Sequence, residues 1–158
     1  MKKILRILIV CFAMLSLVAC GSGGNKKIVG VGEKRSTAFF DFSIESIEVV
    51  DKYAGQEAID GFKIVDFVIY TKNTMNMMVP MFDTDYVIIY NGEEYWPELA
   101  LDDTMAPEEV LLQVGEDMTY HYVFVIPNDA MKFDLTFEEI FETGAHGEIH
   151  TIKIELNK

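Results

Sequence analysis

The stretch from Phe62 to Asn73 restricts the fold more than any other, because its apolar and polar residues alternate with a period of two. Val65, Phe67, Ile69 and Thr71 fall on one face and Asp66, Tyr70 and Lys72 on the other, the mark of a strand whose side chains point to opposite sides of a sheet. Its β-branched and aromatic content disfavours a helix. The same period recurs in Phe40, Phe42 and Ile44, set between Asp41, Ser43 and Glu45, before the phase slips to Ile47 and Val49. One extra residue near Glu45-Ser46, a β-bulge, accounts for that slip. Met118, Tyr120, Tyr122, Phe124 and Ile126 repeat the pattern and Pro127 stops it, since proline cannot donate to a ladder. Tyr86–Tyr90, Asn91-Gly92 and Glu93–Trp96 read as a two-residue hairpin, because Asn-Gly accepts positive φ at both turn positions. Phe133–Phe137 and Ile149–Leu156 add two strands around a Gly144–Gly147 turn, with Ile152, Ile154 and Leu156 facing inward. Asp51–Gly61 reads as a loop. Leu99–Val114 is open between loop and one helical turn at Pro107-Glu108-Glu109 capped by Thr104. About seven short strands without a long amphipathic helix predict an all-β, antiparallel sandwich.

Ahead of this domain the chain changes character. Lys2, Lys3 and Arg6 precede an apolar run, Ile7 to Ala19, which is shorter than the ~20 residues a membrane-spanning helix needs and fits a secretory signal. Leu17-Val18-Ala19-Cys20, followed by Gly21-Ser22-Gly23-Gly24, resembles the lipobox at which bacterial lipoproteins are lipidated on cysteine and cut before it. The resemblance implies a signal peptide at 1–19, lipidated Cys20 with a flexible linker over 20–31, and a domain over 32–158. It also implies a palmitate- and diacylglycerol-type anchor in the cell membrane, with the domain on the extracellular side. A single acyl chain binds membranes only marginally, so durable anchoring takes about two. A ten-residue Gly/Ser/Asn/Lys linker has a root-mean-square reach of roughly 17 Å and a taut limit near ~35 Å.

Cysteine use and charge follow from that partition. The two cysteines are Cys11, in the signal, and Cys20, so the domain has no thiol and must be held by its core alone. Removing 1–19 from 158 residues leaves 139, enough for one self-sufficient core. The mature chain keeps ten basic residues against 26 acidic ones, a formal charge of −16. Nucleic acid binding, which depends on Lys and Arg neutralising phosphates, is disfavoured on those grounds.

The chemistry-bearing residues are few. Without a thiol, and with Ser22, Ser36, Ser43 and Ser46 in no Gly-x-Ser-x-Gly setting, acyl-transfer catalysis lacks a nucleophile. No enzyme activity and no cofactor are expected. His146, Glu148 and His150 share one face at strand spacing, where two imidazoles and a carboxylate suit zinc. The adjoining Gly147 and the lack of a fourth ligand favour an ordinary strand end. Asp83/Asp85 and Asp102/Asp103 lack the order of a calcium loop and read as solvated charge. Met75, Met77, Met78 and Met81 offer thioethers to copper(I), or flexible apolar contact to a ligand. The plainer reading is that they plug the open end of the sandwich. Tyr95 and Trp96 are expected in core or cross-strand packing.

The order of these signals carries a family resemblance. A strand ending in Lys72-Asn73-Thr74, the Tyr86 strand, Asn91-Gly92 with Tyr95, and Gly115-Glu116 leading into Tyr122-Val123-Phe124-Val125-Ile126-Pro127 resemble the immunoprotective extracellular family, immunoglobulin-like lipoprotein domains of Gram-positive bacteria. The resemblance spans Ala38 to Leu156 and implies an immunoglobulin-like sandwich. That family has no common activity, so it lends no catalytic residues. The methionines stand where such domains often have a Gly- or Ser-rich loop. The functional expectation is a membrane-anchored, non-enzymatic binding or envelope-associated module at the cell surface, with a protein or peptide as the candidate ligand. The alternative is a zinc- or copper-binding surface lipoprotein.

Overall fold

The structure, a computed structural model, describes residues 28–82, 85–98, 102–141 and 145–157. The proposed signal peptide, Cys20, most of the linker and Asp83 lie outside them. The alternating stretch Phe62–Asn73 is strand β5, at the middle of one sheet. It pairs with β2 (Phe40–Val50) on one side and β10 (Asp117–Pro127) on the other, and β1 (Lys34–Ser36) lies outside β2. The facing sheet has the order β12 (His146–Glu155), β11 (Lys132–Ile140), β7 (Tyr86–Tyr90) and β8 (Glu93–Tyr95). Every pairing within these sheets is antiparallel. A separate ribbon joins β6 (Val79–Phe82) to β9 (Glu109–Leu112).

The pairing of β5 with β10 and of β7 with β11 corresponds to the B–E and C–F pairs of an immunoglobulin-like Greek key. The expected all-β sandwich is therefore present, with β1-β2-β5-β10 facing β12-β11-β7-β8. The phase slip in β2 is a bulge, since Ile44 opposes Ile69 but Ser46 opposes Val68. Omitting Glu45 from the ladder returns Ile47 to the buried face occupied by Phe42 and Ile44. Asn91 and Gly92 both have positive φ, 53° and 83°, closing the hairpin between Tyr90 and Glu93.

Between the sheets lie Phe42, Ile44, Phe67, Ile69, Tyr122 and Phe124 from one side and Tyr86, Ile88, Leu135, Phe137, Ile152 and Ile154 from the other. No cysteine is available to bridge them, and aromatic packing takes the central place. The Tyr86 ring meets Tyr122 at 4.8 Å, Phe137 at 5.2 Å and Phe42 at 5.5 Å between centroids. Such pairs add ~0.5–1.5 kcal/mol each beyond buried area. The Tyr86 hydroxyl reaches that of Thr71 at 3.3 Å. Burial pushes its phenol pKa up well beyond the ordinary tyrosine range.

Three expectations change. Asp51–Gly61 contains a small hairpin, β3 (Lys52–Tyr53) with β4 (Gln56–Glu57), turned by Ala54 and Gly55 at positive φ. Pro107-Glu108-Glu109 opens no helical turn and leads into β9, because Leu112 gains burial opposite Val79 of β6. Trp96 is exposed rather than packed, since β8 ends at Tyr95, whose ring lies half-buried against the core. The segment after Trp96 runs back along β10, with Glu98 N–H donating to Val123 O and His121 N–H to Thr104 O, 2.8 and 2.9 Å. It carries Met105 into a small second core with Ile64 and Val123, on the outer face of the β5 sheet.

The end of the expected linker belongs to the packed structure. Ile28 and Val31 contact the main core and Val29 bridges Glu155 at the end of β12. Gly30 has φ 98°, and a Cβ there would overlap Ile154 Cδ1. Glycine alone allows the chain to lie that close.

Candidate functional site

The methionine cluster separates into two halves, and the split builds a groove. β5 ends at Asn73, which is 1% exposed and acts as a fastener. Its Nδ2 donates to the carbonyls of Met77, Leu112 and Gln113 at 2.9, 3.1 and 3.0 Å, and its Oδ1 accepts from Met75 N–H at 2.8 Å. Thr74 donates both its N–H and its hydroxyl to Phe39 O, each at 3.0 Å. The loop after β5 is thereby tied to the β1–β2 turn and to β9. Met81, 1% exposed, enters the core, where its sulfur accepts from the Tyr122 hydroxyl at 3.9 Å. Met75 lies half-buried against that core. Met75 also lines the groove beside it, and both pack on the main core, as the plainer reading expected.

Met77 and Met78 do not. They are 52% and 50% exposed and line a groove of about 650 Å³ with Phe39, Phe82, Ile140 and Phe141. Phe39 and Phe141 meet edge to face at 5.0 Å and close one wall. Half-exposed Met, Phe and Ile side chains gathered on one surface are the pattern of an apolar contact site rather than of scattered surface residues. Among the described residues the charged ones lining the groove are Asp85 and Glu138, with no lysine or arginine. Asp85 Oδ2 accepts from Phe82 N–H at 2.8 Å and Glu138 Oε1 meets His146 Nδ1 at 2.7 Å.

His146, Glu148 and His150 do share β12 but do not converge. His146 engages Glu138, whereas His150 Nε2 engages Glu139 Oε1 at 2.9 Å. Among the described residues no group of three or more His, Cys, Asp or Glu is placed to hold a metal ion. Glu148 contributes its backbone instead, donating N–H to Glu139 Oε2 at 3.2 Å. Sequence reading missed Glu139. It is 4% exposed, sits in a bulge where the register steps from Glu138 to Ile140, and also accepts from Ala38 N–H at 2.6 Å. Burial raises its pKa, but donation from Ala38, His150 and Glu148 outweighs burial and leaves it below the usual glutamate range. A Cβ on Gly147 would lie 2.6 Å from Glu139 Oε2 and 2.7 Å from its Cβ. The glycine that weakened the metal reading is there to admit this carboxylate.

A second buried carboxylate lies on the outer face. Asp66 is 8% exposed and meets His121 Nδ1 at 2.8 Å, beneath the segment carrying Met105. Burial holds its pKa above the usual range, with His121 opposing and Glu48 and Asp102 adding to the shift. Asp102 itself caps a turn, accepting from the N–H and hydroxyl of Thr104 at 2.9 and 2.6 Å.

No family model matches this sequence, and no curated protein does. Solved structures match at the level of fold. The candidate lipoprotein ycdA of Bacillus subtilis is 12% identical with a TM-score of 0.64, over 77% of this chain and 38% of ycdA. The yjhA protein of Bacillus subtilis is 14% identical with a TM-score of 0.62, over 82% of this chain and 99% of yjhA. A conserved hypothetical protein of Bacillus anthracis is 16% identical with a TM-score of 0.54, over 82% of this chain and 96% of that one. The chain thus spans about two-fifths of ycdA and nearly all of the other two. Its fold is an antiparallel β-sandwich similar to proteins of Gram-positive bacteria, one of them a candidate lipoprotein.

Proposed function

We propose that this chain is a surface lipoprotein of the immunoprotective extracellular type, anchored through Cys20, that acts without catalysis as a binding module through its methionine groove. The observation that carries this reading is the position of the groove relative to Val29, the described residue nearest in sequence to Cys20 that pairs with a strand. Val29, the way back to Cys20, bridges Glu155, which pairs with Lys132 at the start of β11. Ile140, at the other end of β11, lines the groove. At ~3.3 Å per residue the two poles lie roughly 26 Å apart. The groove opens at the pole away from the tether, where a surface protein meets its surroundings. The lipobox and the similarity in fold to ycdA support the anchor, and the absence of a thiol in the mature domain supports a non-enzymatic role.

Met77→Cys tests the anchor and the outward exposure of the groove, because Cys20 is consumed by lipid and the new thiol stands alone. The variant should incorporate labelled palmitate in cells, lose it when Cys20→Ser is added, and react with a membrane-impermeant maleimide on intact cells. A protein that carries no fatty acid, or that reacts only after lysis, refutes the reading.

A further inference from the structure

Resting on the groove reading above, we propose that the occupant is a cationic amphipathic segment of a partner protein, seated with its apolar face on Met77, Met78, Phe82 and Phe141 and its Lys or Arg residues toward Asp85 and Glu138. Shape and charge point the same way. Methionine is unbranched and polarisable, so a wall made of it remoulds around different apolar side chains. A groove of about 650 Å³ admits a few large apolar side chains, the usual anchors of an amphipathic segment.

The groove's charged lining selects the sign of the partner. Asp85 and Glu138 are acidic, no basic residue lines the wall among the described residues, and the mature chain carries −16 in all. A ligand with an acidic rim would be repelled in both near and far field, whereas a basic one is drawn in and oriented. The histidine next to Glu138 does not reverse this. His146 is largely exposed, with 68% of its side-chain surface accessible, so solvent and salt screen it, and it is not among the residues lining the groove. Anionic lipid headgroups are disfavoured by the same charge, and the groove lies at the pole opposite the end of the chain that leads to the anchor. A peptide segment satisfies the apolar wall and the acidic rim together.

The test uses the full lipidated chain in zwitterionic nanodiscs, with methionine methyl groups carrying ¹³C. Three designed helical peptides share one leucine pattern and carry lysine, glutamine or glutamate on the polar face. The Leu/Lys peptide should shift the methyl signals of Met77 and Met78 and leave Met105, in the outer-face core, unmoved. Its affinity should exceed that of the Leu/Glu peptide at least tenfold. Glu138→Gln should weaken Leu/Lys binding severalfold and flatten its dependence on salt, while Met77→Gln with Met78→Gln should abolish it. Equal binding of all three peptides at these methyls overturns the cationic partner and leaves the groove reading standing. If none of the three moves either methyl, both fail. Leu/Lys binding that shifts Met105 and survives the double variant overturns the proposal by placing the site elsewhere.

Discussion

Replacing Asn73 with alanine should reveal how the domain holds its groove. The side chain has four hydrogen-bond contacts, its two amide N–H shared among three carbonyl oxygens and its oxygen accepting from the Met75 N–H, and the bond to Leu112 O is buried. A net hydrogen bond contributes ~0.5–1.5 kcal/mol, and a buried group left without a partner costs ~1–3 kcal/mol. Three of the four bonds are partly buried, where water can replace the lost partner, so the lower end of each range applies to them. The expected loss is about 2–4 kcal/mol, a large part of the ~5–15 kcal/mol that holds a domain together. Urea denaturation should show a lower midpoint with an unchanged slope, because the core sheets remain and the surface exposed on unfolding is the same. Asn73→Asp should cost at least as much at neutral pH, since a carboxylate cannot donate to the three carbonyls. A loss below about 1 kcal/mol for Asn73→Ala, or no gain in amide exchange over 74–78, would refute the fastener.

Further outcomes follow from the core and the two buried carboxylates. Phe67→Ala should destabilise by about 3–5 kcal/mol, whereas Tyr70→Ala, on the outer face with its hydroxyl toward Asp117, should cost clearly less; equal midpoint shifts in denaturant would refute the inward assignment. Gly147→Ala should cost about 1–3 kcal/mol, because its Cβ cannot fit beside the Glu139 Cβ at 2.7 Å without moving backbone, and a midpoint within error of wild type would refute the close contact. The folded-state pKa of Glu139 is depressed, so its contribution is present above the unfolded glutamate pKa and is lost as pH falls through the lower folded value. Asp66 is raised and works in the opposite sense, with stability gained as pH falls through its folded value toward the unfolded one. Glu139→Gln should therefore flatten the acid limb of the stability profile and Asp66→Asn should steepen it; identical profiles would refute both assignments.

What the sequence determines here is the set of strands and the faces they bury. Period-two alternation is enforced by backbone geometry within each strand, so Val65, Phe67 and Ile69, or Tyr122, Phe124 and Ile126, declare their buried side without knowledge of any partner. The bulge at Glu45 and the Asn91-Gly92 turn are equally local, fixed by phase and by φ. The tether signature at Cys20 belongs to the sequence alone. What only the tertiary structure decides is which loops meet. Leu112 gives a weak signal until β9 finds β6, and Trp96 looked fit for packing until β8 stopped one residue short. The methionines read as one cluster along the chain, yet Met81 and Met77 part company because Met77 lies in the loop that Asn73 fastens and Met81 in β6, where pairing with β9 turns it into the core. His146, Glu148 and His150 share one strand face by spacing, and the sequence favours an ordinary strand end over a ligand set there. The bulge at Glu139 gives the two histidines separate carboxylate partners, and that bulge arises from pairing between strands, a long-range property that no local pattern encodes.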